Sequence, residues 1–156
     1  MIETHVDITT KDGAMNTFIA CPEEGGPFPM VIFAMDAPGK REELHDMARR
    51  IAAVGYYVVL PNLYYRKVRE FHMYMEGVTR EKMFEQMDAL SNDLFCDDVQ
   101  AIFDHVDDND LVAKGPVGIV GYCMSGPFAI YLAGRLPDRI RGAASPKVSS
   151  MRAVRV

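Results

Sequence analysis

A cysteine joins two apolar segments in the stretch VGIVGYCMSGPFAI, residues 117–130. Gly121 and Ser125 stand two positions before and two positions after Cys123. Small residues at these positions are typical of a sharp strand-to-helix turn, which pushes its central residue out above the edge of a sheet. At the start of a helix the dipole favours the thiolate of a cysteine, and the thiolate is the nucleophile. The pattern therefore predicts a nucleophile elbow with Cys123 as the nucleophile.

Other functions of the same stretch and of the cysteines are less well supported. Cysteine is often buried, so Cys123 could be core filler, but the small residues on both sides favour a reactive thiol. The stretch contains neither GxGxxG nor GxxxxGK[ST], so nucleotide binding is not predicted. The three cysteines are far apart and form no CxxC pair, so we expect no metal site and no disulfide framework.

Strand patterns surround the elbow and would position it. Residues 2–9 alternate polar and apolar types, Asp12-Gly13 suits a turn, and residues 15–21 would return as the second strand of a hairpin. Continuous apolar runs predict parallel strands buried on both faces, and they lie at residues 30–35, 56–60 and 117–120. Residues 139–144 begin another strand-like run.

Helical spacing fills the intervals between these strands. It predicts an amphipathic helix over residues 40–54 and two helices between residues 80 and 106. After Cys123, residues 128–133 are apolar all round, so that helix should be buried. This alternation predicts an α/β fold with a mainly parallel sheet.

Bulk properties exclude several classes of protein. The 156 residues suit one domain, and 49% hydrophobic with 25% charged residues is ordinary globular composition. A net charge of −5 gives no basic surface for nucleic acid. No membrane-spanning run and no signal peptide are visible, so we expect a cytoplasmic protein with no membrane partner.

Two segments in this order resemble the dienelactone hydrolase family. They are FAMDAPGKREELHDMARRIAAVGYYVVLPNLYYR and GYCMSGPFAIYLAGRLPDRIRGAAS, and the likeness runs over residues 2–145. The resemblance implies an α/β-hydrolase-like fold with an N-terminal antiparallel hairpin, flanking helices and a sheet that is incomplete at the C-terminus. It also implies hydrolysis of a small lactone or carboxylic ester through a cysteine nucleophile, without a metal or organic cofactor.

The same resemblance implies roles for four further residues. The backbone N–H groups of Ala37 and Met124 would bind the oxyanion. Asp36 stands where family members carry a glutamate that contacts the resting cysteine, or it is simply a turn-forming aspartate. Arg66 matches an arginine that binds the substrate carboxylate, the alternative being a solvated arginine. The two tyrosines of LPNLYYR are expected to line the pocket or to pack beneath it.

The C-terminal part departs from the family pattern. In this fold the triad acid and histidine follow the nucleophile, but no histidine follows Cys123 and Asp138 is the only acid that does. We interpret residues 1–145 as the N-terminal portion of one hydrolase domain and residues 146–156 as a divergent, loosely ordered tail. The pattern suggests a truncated or frame-shifted gene end, and we expect little or no hydrolase activity, poor stability and self-association through an unfinished sheet edge.

Two other functions remain open from the sequence. The chain could be an inactive remnant that binds small carboxylates or partner chains, or a redox-responsive protein in which Cys123 is oxidised. Ester turnover that depends on Cys123 would favour the hydrolase. Labelling of the thiol without turnover would favour the other two.

Overall fold

A computed structural model describes residues 1–146, which form a six-stranded sheet flanked by helices. The strands follow the order β1-β2-β4-β3-β5-β6. The two pairs that involve β2 are antiparallel and the other three pairs are parallel, which confirms the predicted α/β class and its N-terminal hairpin. The strands are β1 (Ile2–Thr10), β2 (Gly13–Cys21), β3 (Met30–Ala34), β4 (Tyr57–Pro61), β5 (Val117–Gly121) and β6 (Ile140–Ala144). The prediction for the tail after residue 146 lies outside the described residues.

Each predicted helix forms, and side-chain caps mark the starts of two of them. Thr79 accepts a hydrogen bond from the Lys82 N–H at 3.4 Å, and Ser91 accepts one from the Leu94 N–H at 3.2 Å. Gly55 follows the first helix with φ +101°, a conformation that glycine adopts without strain. The helices are α1 (Glu42–Ala52), α2 (Arg80–Asp88), α3 (Asn92–Val106) and α4 (Gly126–Arg135), and a short 3-10 turn (Cys123–Ser125) leads into α4.

The helices cover the sheet from two sides. The chain leaves β3 toward β4 and leaves β5 toward β6, which is the opposite direction along the sheet. Because crossovers between parallel strands are right-handed, α1 and α4 lie on opposite faces. Consistently, α1 contacts β2 and β4, whereas α4 contacts β5, β6 and α3. All five residues of β3 are therefore buried between the two layers.

The prediction that α4 is buried all round is wrong for one side of the helix. Phe128 and Leu132 are buried, but Ile130 is 55% exposed and Tyr131 is half-buried. Within residues 1–146, α4 is covered only by the sheet and by α3, and β6 pairs only with β5. An apolar face of the helix consequently contacts solvent.

The strand order brings the carboxyl ends of three parallel strands to one edge of the sheet. β3, β4 and β5 are parallel, so the segments that follow them meet at the same edge. Because the chain leaves β3 and β5 in opposite directions, a crevice opens between their carboxyl ends, which is where ligands bind in open α/β sheets. Asp36 and Ala37 follow β3, and Cys123 follows β5.

Candidate active site at the end of strand β5

The backbone at Cys123 has the conformation of a nucleophile elbow. Cys123 has φ +52°, and it is the one non-glycine residue with positive φ in residues 1–146. A side-chain carbon at position 121 would collide with the carbonyl of Ser125, so only glycine fits there. Such strain persists only where the surrounding structure imposes it, and it is typical of active sites.

Ser125 holds the elbow against the neighbouring strand end. Its side chain is fully buried, and its hydroxyl donates a hydrogen bond to the carbonyl of Met35, just after β3. The Tyr122 N–H also points to the Ala34 carbonyl, at 3.5 Å. Sequence analysis identified Ser125 as a small residue, and the structure shows that its hydroxyl also connects the two sides of the crevice.

The two predicted oxyanion donors lie on the two sides of this crevice. No group of residues 1–146 accepts a hydrogen bond from the N–H of Ala37 or of Met124. Both residues are buried. They are connected by Tyr64, whose hydroxyl donates to the Ala37 carbonyl at 2.8 Å and lies 3.3 Å from the Met124 sulfur. Within residues 1–146 neither N–H group has a protein acceptor, as expected of donors that bind a ligand.

The carboxylate of Asp36 is bound by an arginine that the sequence analysis missed. Arg41 donates Nη1 to Oδ1 at 2.6 Å and Nη2 to Oδ2 at 3.0 Å. The Asp36 carbonyl also accepts from the Gly39 N–H at 3.2 Å, so the turn-forming alternative describes its backbone. Arg41 precedes α1 and gave no sequence signal, because an arginine at a helix start is usually solvated.

Arg66 does not have the surroundings expected of a substrate anchor. Its guanidinium forms a two-pronged pair with Asp98, with Nη2–Oδ1 at 2.6 Å and Nη1–Oδ2 at 3.0 Å, and its Nε donates to Asp12 at 2.7 Å. The guanidinium carbon also lies 4.6 Å from the centroid of the Tyr65 ring. With both prongs on buried Asp98, Arg66 connects the β4 loop to α3, and this geometry favours a structural role.

In the described part of the chain none of the four histidines is hydrogen-bonded to Cys123, and the other two cysteines lie on β2 and α3. His45 stacks on Phe18 with ring centroids 4.3 Å apart and lies 3.0 Å from Glu42. The backbone of His72, however, packs beside Gly39 in the loop that follows β3. Burial raises the pKa of the Cys21 and Cys96 thiols, which lowers their thiolate fraction at neutral pH.

A cavity in the described part of the chain lies away from the elbow. A cavity of about 540 Å³ opens beside Met30 and Val117, at the amino-terminal ends of β3 and β5, and none of the predicted site residues lines it. Residues 1–146 hold no group of three or more metal-ligating side chains. None of the helices in that range has the length and apolar character needed to cross a membrane.

A mainly parallel sheet with a positive-φ cysteine elbow at its topological switch point is the arrangement of the α/β-hydrolase fold. The chain belongs to the dienelactone hydrolase family, whose sequence profile matches residues 15–146. A protein of Synechocystis sp. named "Putative carboxymethylenebutenolidase" is 27% identical over 145 residues, which cover 91% of this chain and 57% of that protein. A protein of the same name from Methylorubrum extorquens is 37% identical over 67 residues, 43% of this chain and 23% of the other.

The fold comparison agrees with the sequence comparison. The crystal structure named "Putative Dienelactone Hydrolase" from Klebsiella pneumoniae has a TM-score of 0.78 at 22% identity, covering 97% of this chain and 63% of that chain. The matched region of this chain thus spans little more than half the length of the Synechocystis relative.

Proposed function

We propose that this chain carries the nucleophilic part of a lactone or carboxylic ester hydrolase, with Cys123 as the attacking group. The observation that supports this most is the strained backbone of Cys123 at the switch point of the sheet. A positive φ at a cysteine has a steric cost, and an inert core cysteine would gain nothing from it. The named relatives support the same reaction class.

In the proposed reaction the Cys123 thiolate attacks the carbonyl carbon of the ester. A C–S bond forms, and the π electrons of the carbonyl move onto oxygen. The resulting oxyanion accepts hydrogen bonds from the free N–H groups of Ala37 and Met124. When the oxyanion collapses, the C–O bond to the alcohol breaks, the alkoxide takes a proton from water, and a thioester remains on Cys123.

Release of the acyl group requires an activated water. Histidine is the usual base for this step, and none of the four histidines in residues 1–146 is hydrogen-bonded to Cys123. Asp36 follows β3 on the other side of the crevice, and both of its carboxylate oxygens accept hydrogen bonds from Arg41. We therefore expect acylation to outpace hydrolysis, so that one acyl group accumulates on each chain.

The test combines intact mass spectrometry with a p-nitrophenyl acetate assay. Wild-type protein should release a burst of one equivalent of p-nitrophenolate and gain the mass of one acetyl group, mapped to Cys123. Cys123→Ala should abolish both signals, whereas Cys96→Ala, a matched control on α3, should leave them unchanged. A wild-type protein whose Cys123 is alkylated by iodoacetamide but never acetylated would overturn the proposal and favour the redox-responsive thiol.

A further inference from the structure

The Tyr64 side chain lies between the two residues whose N–H groups would bind the oxyanion. Its hydroxyl donates to the Ala37 carbonyl at 2.8 Å, and the Met124 sulfur lies 3.3 Å from the same oxygen. Tyr64 is 27 positions from Ala37 and 60 positions from Met124 in the sequence. One hydroxyl therefore connects three segments, those that follow β3, β4 and β5.

The surroundings of Tyr64 leave its ring little freedom. The residue is fully buried, and its ring packs edge-on against Phe71 with centroids 5.4 Å apart. Its backbone N–H donates to the side chain of Asn62 at 3.0 Å, and the Asn62 amide donates to Asn16 at 2.8 Å. The hydroxyl is thus held in place by packing and by buried hydrogen bonds.

The hydroxyl also remains a donor over the working pH range. Burial raises the pKa of Tyr64, and the nearby negative charges of Asp36 and of ionised Cys123 raise it further. A tyrosine that stays protonated keeps its hydrogen bond to the Ala37 carbonyl when the thiolate forms.

We propose that Tyr64 is the positioning residue of the oxyanion site, holding Ala37 and Met124 at the separation at which both N–H groups reach the same oxygen. This inference rests on the proposed function of Cys123 and extends it. Fixed donors stabilise a developing charge without reorganising, so a loosened Ala37 would weaken the site even though both N–H groups remain. In this role Tyr64 acts through the backbone of Ala37 and Met124 and does not itself bind the oxyanion.

Comparing two reactions of the Cys123 thiol can show whether Tyr64 positions the oxyanion donors or only supports the fold. Acetylation by p-nitrophenyl acetate passes through a tetrahedral oxyanion, whereas alkylation by iodoacetamide is a direct displacement that forms none. The measured quantity is the ratio of the acetylation rate to the alkylation rate at Cys123. A general disturbance of Cys123 would change both rates, but a loss of oxyanion stabilisation changes only the first.

Tyr64→Phe keeps the ring and removes the hydroxyl, and Tyr65→Phe is the matched control. The hydroxyl of Tyr65 is also buried, but it bonds to Thr10 and Asp98 rather than to the elbow. We expect Tyr64→Phe to lower the ratio about 10-fold, less than the 10²–10³-fold loss on removing a direct oxyanion donor. Tyr65→Phe should leave the ratio within about twofold of wild type.

Each outcome decides between the two proposals. If wild type is acetylated and Tyr64→Phe retains the full ratio, the positioning role is wrong and the proposed function stands. If wild type is never acetylated, the proposed function fails and the positioning role fails with it. If Tyr64→Phe does not fold, Met124→Leu removes the sulfur from the Tyr64 hydroxyl and keeps the backbone N–H, and an unchanged ratio in that variant would also overturn the positioning role.

Discussion

Replacing Arg66 with alanine should destabilise the fold because it leaves a buried carboxylate without its counter-ion. The Asp98 side chain is 1% exposed, and the two prongs of Arg66 are its only cationic partner in residues 1–146. In the variant one hydrogen bond would remain, from the Tyr65 hydroxyl at 2.8 Å. Breaking a buried pair in this way costs about 3–5 kcal/mol. We expect the free energy of unfolding at pH 7 to fall by about that amount.

The size of this loss should depend on pH. Burial raises the pKa of Asp98 in the folded chain even with Arg66 present, so folding favours the protonated carboxyl. Stability is therefore lost as the pH rises from the unfolded pKa toward the folded pKa, and it is regained on acidification. Removing Arg66 raises the folded pKa further. Between that new pKa and the lower folded pKa of the wild type, the cost of Arg66→Ala should shrink by about 1.4 kcal/mol per pH unit on acidification.

Urea unfolding between pH 5 and pH 8 would measure these differences. Arg69→Ala is the matched control, because Arg69 is 62% exposed and pairs with half-exposed Asp7 at 3.0 Å. Such surface pairs contribute about 0–1 kcal/mol. In an Asp98→Asn background, Arg66→Ala should cost little, since no buried charge is left behind. A loss below 1 kcal/mol, equal to that of Arg69→Ala and independent of pH, would refute the argument and restore Arg66 as a candidate substrate anchor.

Three further predictions concern the elbow and the exposed face of α4. Iodoacetamide should modify Cys123 faster than Cys21, whose burial raises its pKa, and peptide mass spectrometry showing the reverse order would contradict this. Gly121→Ala should cost about 1–3 kcal/mol or more because its Cβ meets backbone, whereas Gly134→Ala in α4 has open space and should stabilise by about 0.5–1 kcal/mol in thermal unfolding. The exposed Ile130 should promote self-association, so Ile130→Lys should shift solution mass toward monomer in light scattering, and an unchanged mass would argue against that surface.

The sequence was sufficient for those features that depend on neighbouring residues. Alternation identified the hairpin, and continuous apolar runs identified β3, β4 and β5 to within one or two residues. The elbow could be predicted because Gly121 and Ser125 are only four positions apart, and their close approach is a property of the turn itself. The apolar composition of residues 128–133 was misleading for α4, because an apolar helix does not reveal how many of its sides are covered.

The tertiary structure decided which side chains meet across the strands. Arg66 and Asp98 are 32 positions apart, and Tyr64 and Ala37 are 27 apart, so neither contact leaves a pattern in the local sequence. Both depend on the order β1-β2-β4-β3-β5-β6, which brings the ends of β3, β4 and β5 to one edge. An isolated arginine is compatible with a substrate carboxylate or with a structural carboxylate, and only the buried position of Asp98 distinguishes them. The backbone conformation of Cys123 could thus be predicted from the local sequence, whereas the residues that contact its surroundings depend on the strand order.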